Sequence, residues 1–170
     1  MKKGRIRIFL ILICSLVAVL IVSFTLGREW YTGRNQSLVS FALIHFSGYL
    51  FFLLMPVEMA YLYYLPFFSD IEMLSIAMGT AVAAEIIDYF IGLSVSTAIV
   101  NNLVGEKRIL KAEKYILKYG NLTIFIFNLF PLSSSVIAVA AGMLKYRFKG
   151  FIICSTSGLA VKYIFLSLIF

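Results

Sequence analysis

What most constrains this chain is a pair of long apolar runs that carry helix-breaking residues at their centres. The stretch IFNLFPLSSSVIAVAAG, Ile126 to Gly142, places Pro131 and the serines Ser133, Ser134 and Ser135 inside an otherwise apolar block, with Asn128 just before them. Proline removes a backbone donor and breaks the hydrogen-bond ladder, and within a bilayer no water replaces what is lost. The earlier block Leu38 to Phe68 has the same character, because LLMPVEMAYLYYLPFF inserts Pro56, Glu58 and Pro66 into it. Neither block has the composition of a plain anchor.

That these runs belong in a membrane follows from the balance of residue types. Of 170 residues, 62% are hydrophobic and 14% charged, against about 25% charged in soluble domains. Apolar character fills Leu38 to Phe68, Ile71 to Val100, Leu122 to Leu144 and Phe151 to Phe170, and also Ile6 to Leu26 behind a basic start. That N-terminal run exceeds a signal-peptide core of about 7 to 15 residues and approaches the roughly 20 needed to cross a bilayer. It reads as an uncleaved anchor, with Trp30 and Tyr31 at the far interface. The expected organisation is therefore an anchor and outer loop over 1–37 and a membrane domain over 38–170. Cys14 and Cys154 lie in apolar runs, which gives a disulfide framework or a zinc site no support.

The net charge of +7 reads as topology rather than as affinity for nucleic acid. Twelve of the fifteen Lys and Arg fall in three clusters: Lys2, Lys3, Arg5 and Arg7; Lys107, Arg108, Lys111, Lys114 and Lys118; and Lys145, Arg147 and Lys149. If Leu122 to Leu144 crossed fully, the second and third clusters would lie on opposite sides, against the cytoplasmic preference of short basic loops. If it turns back, and Leu38 to Phe68 turns back from the other face, all three become cytoplasmic together with the N-terminus. The expected fold is thus all-α and polytopic, with two opposed re-entrant hairpins related as an inverted repeat. The tips would lie at Pro56 and at Asn128, Pro131, Ser133, Ser134 and Ser135. The alternative is a proline-kinked crossing whose serines bond back to the backbone. Between the blocks, EKRILKAEKYILKY sets Ile109, Leu110, Ile116 and Leu117 on one side and Lys107, Lys111, Lys114 and Lys118 on the other, the pattern of a helix in the membrane interface.

Glu85 and Asp88 sit three apart, so on a helix they share a face among Ala, Ile and Val. A carboxylate at the bilayer centre costs about 2.5–3.5 kcal/mol on insertion scales, so both require partners, protons or an aqueous cavity. Lys162, the only charged side chain in the last apolar block, is the expected partner. Glu58 follows Pro56 by two residues and either titrates or accepts bonds from unpaired hairpin amides. Together Glu58, Glu85, Asp88 and Lys162 form the expected substrate or proton pathway. His45 has no second His or Cys at ligand spacing, so no metal is expected there, only a polar contact within the hairpin. Ala77, Gly79, Ala81, Gly92, Ala138, Gly142 and Gly158 read as small residues that admit close helix packing. Tyr61, Tyr63 and Tyr64 read as an interfacial belt. No phosphate-binding loop, dinucleotide fingerprint, zincin motif or nucleophile elbow is present, and neither an enzyme nor a cofactor is expected.

MPVEM, GTAVAAEIIDYFIG, the basic amphipathic segment running into FNLFPLSSSVIAVAAGMLKYRFKGF, and SGLAVKY together resemble the DedA superfamily, also called VTT or SNARE-associated Golgi proteins, over about Pro56 to Phe165. The wording around Pro131 and Lys162 is similar to the YqaA-like branch. The resemblance implies facing hairpins and proton-dependent flipping of polyprenyl phosphates in bacteria or phospholipid scrambling in eukaryotes. It carries over Glu58 as the first hairpin's acidic residue, Glu85 or Asp88 as the acidic position before Y-x2-G, and Pro131 as the second hairpin's proline. It also implies arginines three residues either side of that proline, where this chain has Asn128 and Ser134. The expected function is lipid translocation in the plasma membrane, with membrane lipids, anionic head groups and protons as partners. Alternatives are a proton-coupled carrier of a small solute or ion and a non-transporting scaffold.

Overall fold

A computed structural model describes residues 36–50, 57–94, 106–130 and 134–170. The expected anchor at Ile6 to Leu26 and the tip residues Pro56, Pro131 and Ser133 lie outside these. Among the described residues the chain is all-helical, with seven α-helices: α1 Leu38–Leu50, α2 Val57–Tyr64, α3 Asp70–Ser94, α4 Glu106–Tyr119, α5 Asn121–Leu129, α6 Ser134–Met143 and α7 Phe148–Ile169. A 3-10 turn, Leu65–Phe67, follows α2 with Pro66 in its first turn.

Local chemistry accounts for the helix starts. Ser69 and Glu72 form a capping box on α3: the Ser69 amide and hydroxyl both donate to Glu72 Oε2, at 3.1 and 2.7 Å, while the Glu72 amide donates to Ser69 Oγ at 3.4 Å. At α1 the Ser40 amide donates to Ser37 Oγ at 3.1 Å. Gly120, at φ +56°, takes the left-handed turn between α4 and α5, a conformation that costs glycine least.

Among the described residues only α3 and α7, of 25 and 22 residues, are long and apolar enough to cross a membrane. Their rise of about 33 Å or more exceeds a hydrocarbon core of about 30 Å. The helices flanking the interrupted blocks are short: α1 has 13 residues, α2 8, α5 9 and α6 10. At 1.5 Å per residue each reaches at most about 20 Å, so none spans alone.

The two long helices run antiparallel, since Tyr89 stacks on Phe151 at 5.1 Å while Glu85, a turn earlier on α3, meets Ser155, a turn later on α7. α1 lies along α3 and α5 along α7, while α6 fills the centre and packs most extensively on α3. Every residue of α6 from Ser134 to Gly142 is buried, as expected of a helix apolar all round. Glycines set these distances. A methyl group added at Gly92 would run into the Val139 carbonyl, one at Gly142 into the Tyr89 carbonyl and Leu93 amide, and one at Gly158 into the Phe125 carbonyl. Gly79 does not share that role: it is exposed and has nothing within 4 Å of an added Cβ. Residue spacing gave Gly79 a packing face, but among the described residues no helix lies opposite.

The outer surface is apolar, with Ile87, Phe90, Ile153, Val161, Ile164, Phe165 and Leu168 all exposed. The exposed serines Ser75 and Ser157 donate to carbonyls one turn back on their own helices, Ile71 O at 2.6 Å and Ile153 O at 2.7 Å. This is how a hydroxyl is satisfied where no water is at hand. On α4, Ile109, Ala112 and Ile116 are buried and α4 packs on α6, whereas Leu110 and Leu117 are 54% and 75% exposed. The expected single apolar face is therefore two: one docks on the protein, and the other points outward beside the lysines.

Candidate functional site

The interior holds two polar layers stacked along α7. The first gathers around Lys162. Its ammonium donates to Glu58 Oε1 at 3.0 Å and to Tyr49 OH at 2.7 Å, and lies 5.3 and 5.1 Å from the ring centres of Tyr49 and Tyr163. The chain continues from Tyr49 OH to Tyr163 OH at 2.8 Å, from Tyr163 OH to His45 Nε2 at 2.6 Å, and from His45 Nδ1 to Thr80 Oγ1 at 2.7 Å. Thr80 donates onward to the Ile76 carbonyl at 2.7 Å.

The direction of the links follows from the Thr80 end. With its single proton on the Ile76 carbonyl, Thr80 accepts from His45 Nδ1, and a neutral imidazole protonated there has Nε2 as its acceptor. Tyr163 then donates to His45 Nε2 and accepts the Tyr49 proton, while Tyr49 accepts from the Lys162 ammonium, which only donates. Six buried or half-buried polar side chains are thereby joined from Glu58 on α2, through α7 and α1, to Thr80 on α3. The two ends differ in access, because Lys162 is 6% and Glu58 20% exposed.

The second layer lies about 10 Å along α7, seven residues from Lys162. Glu85 and Asp88 are on one face of α3, both buried. Ser155 on α7 donates to Glu85 Oε2. Ser135 on α6 neighbours Asp88, but its single hydroxyl proton goes to the Tyr49 carbonyl, so neither Asp88 oxygen has a donor among the described residues. Asn128, in the last turn of α5, is fully buried against Gly158. Its amide donates to the Ile124 carbonyl at 3.0 Å, and its Oδ1 is without a partner among the described residues. Ser134 is buried at the start of α6.

The structure thus gathers Glu58, Glu85, Asp88, Lys162, Asn128, Ser134 and Ser135 in one interior, with three differences from expectation. Lys162 pairs with Glu58 rather than with Glu85 or Asp88. Asp88 does not face the aqueous cavity offered as one way to meet its cost; it is 0% exposed, on the helix that α6 packs against. His45 bonds across to α3 and α7, not within its hairpin. Tyr61 and Tyr64 are also core rather than interfacial, at 0% and 1% exposed, and only Tyr63, at 48%, is outside. Tyr61 packs on Tyr163 at 4.8 Å and bonds Ser167 Oγ at 2.5 Å, and Tyr64 packs on Phe41 at 5.5 Å. Sequence reasoning missed Tyr49, Thr80, Ser155 and Tyr163. The i, i+4 spacing of His45 and Tyr49, and the adjacency of Lys162 and Tyr163, are the signals that pointed to them.

The family model for the VTT domain matches residues 38–170. The "Alkaline phosphatase-like protein" of Lactococcus lactis subsp. cremoris (strain MG1363) is 35% identical over 98 residues, 52% of this chain and 46% of that one. The protein of the same name in Lactococcus lactis subsp. lactis (strain IL1403) is 34% identical over 98 residues, with the same shares. The match therefore spans less than half the length of these relatives. No solved structure matches the chain. With the match covering most of its length, and with two helices able to cross a membrane, the chain belongs to the VTT domain family, the membrane-associated DedA/SNARE-associated Golgi superfamily.

Proposed function

We propose that this protein is a polytopic protein of the plasma membrane that carries anionic lipid head groups, of the polyprenyl-phosphate or phospholipid type, between leaflets in exchange for protons. Two re-entrant hairpins, α1–α2 and α5–α6, enter from opposite faces, and the N-terminus is cytoplasmic. Three features support the hairpins and their inverted relation. The arms are too short to span; the first arm of each hairpin lies on the long helix of its own half, α1 on α3 and α5 on α7; and the second arm reaches the long helix of the other half. α6 does so against α3, and α2 against α7 through Glu58–Lys162 and Tyr61–Tyr163. Interrupted helices in corresponding halves are where transporters place their sites.

The observation that carries the reading is the buried Lys162 ammonium held by a half-buried, releasable carboxylate. An anionic phosphate and Glu58 compete for the same cation. Protonating Glu58 frees Lys162, so a proton entering and a phosphate binding become linked events. The tyrosine–histidine chain keeps the ammonium in place while its partner changes. Asn128 and Ser134 stand where the family resemblance places arginines, which leaves Lys162 as the cation that meets the phosphate. The acyl tails remain in lipid along the apolar surface.

The test is reconstitution into vesicles with a head-group-labelled phospholipid or a labelled polyprenyl phosphate in the inner leaflet, followed by its exposure to an external quencher. Faster exposure than in empty vesicles, greater with an inward proton gradient, and lost in Lys162→Met, is the expected result. Exposure equal to that of empty vesicles, with and without the gradient, removes the reading. The printed name of the Lactococcus relatives favours a second, enzymatic reading as a phosphomonoesterase. Hydrolysis of para-nitrophenyl phosphate by the purified chain, lost on substitution of the same interior residues, would replace translocation with catalysis.

A further inference from the structure

The carboxylate layer contains an imbalance that the Lys162 chemistry does not use. Four buried side-chain oxygens have no donor among the described residues: Glu85 Oε1, Asp88 Oδ1, Asp88 Oδ2 and Asn128 Oδ1. All four are acceptors. No neighbouring donor among the described residues reaches them: Ser135 gives its proton to the Tyr49 carbonyl, Ser155 gives its own to the other Glu85 oxygen, the Asn128 amide bonds Ile124, and the Lys162 ammonium bonds Glu58 and Tyr49. Four elements bring these groups together. Glu85 and Asp88 share a face of α3; Ser155 ties Glu85 to α7; Asn128 of α5 packs on Gly158, one turn along α7 from Ser155; and Ser135 of α6 adjoins Asp88.

Buried acceptors left without donors are costly, and what satisfies acceptors alone is a cation or a proton. The charges agree, because Glu58 balances Lys162 and leaves two acidic side chains without a countercharge, which one monovalent ion and one proton neutralise. Carboxylates, an amide carbonyl and hydroxyls are hard oxygen ligands. The last turn of α5, which carries Asn128, is the negative end of its helix dipole, and the C-terminal ends of half-helices are where transporters hold sodium ions or protons. Calcium takes 6 to 8 oxygens and magnesium keeps several waters, whereas the free oxygens here, with two hydroxyls, form a small dry set.

We propose that Glu85, Asp88 and Asn128, with the hydroxyl oxygens of Ser135 and Ser155, bind a dehydrated monovalent metal cation of sodium's size, which protons displace. The titratable groups that face the pair are Lys162 and Tyr163 of α7; α5 and α6 bring none. His45 and Tyr49 of α1 and Glu58 of α2 belong to the neighbouring layer. Binding requires no lipid movement, so the site does not depend on translocation being the function.

The experiment uses the purified full-length protein in detergent, exchanged into a choline buffer free of alkali ions and titrated with radioactive sodium in a proximity assay. Saturable binding of one ion per chain is expected at alkaline pH, weaker by roughly tenfold or more at acidic pH because the ligands must be deprotonated. It should survive Ser157→Ala, whose hydroxyl serves only its own helix, and be lost in Asp88→Asn and Asn128→Ala. Background binding by the unaltered protein across the pH range overturns the proposal whatever the variants do. Saturable binding that Asp88→Asn leaves intact, or that calcium displaces at equal concentration, overturns it as well. Saturable sodium binding without lipid exposure in vesicles removes the translocation reading alone, and the converse result removes the site alone.

Discussion

Gly79 and Gly92 lie on the same helix and differ in what stands opposite, which makes the same substitution a controlled test of the α3–α6 contact. An added methyl at Gly92 runs into backbone at Val139, which cannot rotate aside, whereas at Gly79 it meets nothing within 4 Å. Replacing a helix-interior glycine by alanine gains about 0.5–1 kcal/mol at either position from backbone entropy. Overpacking against an immobile neighbour costs about 1–3 kcal/mol and applies to Gly92 alone. The propensity gain cancels in the comparison, so Gly79→Ala should be neutral to stabilising, and Gly92→Ala less stable than it by about 1–3 kcal/mol. Gly142 faces Tyr89 and Leu93 across the same contact, so Gly92→Ala and Gly142→Ala together should cost less than their sum, because the first has already separated the helices. Unfolding in mixed micelles, titrated with a denaturing detergent and followed by far-ultraviolet circular dichroism, gives the free energies. Equal shifts for Gly79→Ala and Gly92→Ala, or strict additivity of the Gly92 and Gly142 changes, would refute the close backbone approach.

The Lys162–Glu58 pair should respond asymmetrically in the same assay. Glu58→Gln strands a more deeply buried cation, so it should approach the about 3–5 kcal/mol typical of a broken buried pair, while Lys162→Met leaves a half-buried carboxylate nearer water and costs less. Tyr163→Phe orphans the Tyr49 hydroxyl proton and His45 Nε2 together, at about 1–3 kcal/mol for each unpaired group, whereas Thr80→Val, at the end of the chain, orphans His45 Nδ1 alone and should cost about half as much. Reversing Lys111, Lys114 and Lys118 to Glu should reduce the anionic lipid that co-purifies, measured by mass spectrometry, since each lysine near an anionic surface contributes about 1 kcal/mol.

Much of this architecture was legible before any coordinates. The all-helical fold of the described residues, the shared face of Glu85 and Asp88, and the amphipathic α4 all follow from periodicity. What periodicity could not supply was the identity of the element across the interface. Spacing put Glu85 and Asp88 on one side of α3 but did not say that α6, which has no charge, would cover them. Lys162 was therefore assigned to those carboxylates when its partner, Glu58, lies on the short helix α2. The same gap separates Gly79 from Gly92, which are equivalent by spacing and opposite in environment. It also hid Tyr61 and Tyr64, whose partners Tyr163 and Phe41 are distant in sequence. His45 looked isolated because its two partners in the chain of hydrogen bonds are a threonine and a tyrosine, residue types that carry no motif of their own.

Whether the two polar layers act as one unit turns on Lys162, which touches Glu58 directly and acts on Glu85 through the interior. Sites more than about 7–10 Å apart without shared partners add within about 0.3–0.5 kcal/mol, while sites with a common partner do not. Glu58 and Glu85 share this one cation, and neutralising Glu58 returns the whole of its field to Glu85. The cost of Glu85→Gln should therefore be larger in the Glu58→Gln background than in the unaltered protein, by more than about 0.5 kcal/mol. The excess should disappear when Lys162 is also Met, because the intermediary is gone. A cycle that closes within error with Lys162 present would mean that Glu58 and Glu85 occupy separate electrostatic compartments. Proton exchange at the first layer could then not report to the second, and the linkage of protons to a bound anion would be confined to Glu58 and Lys162.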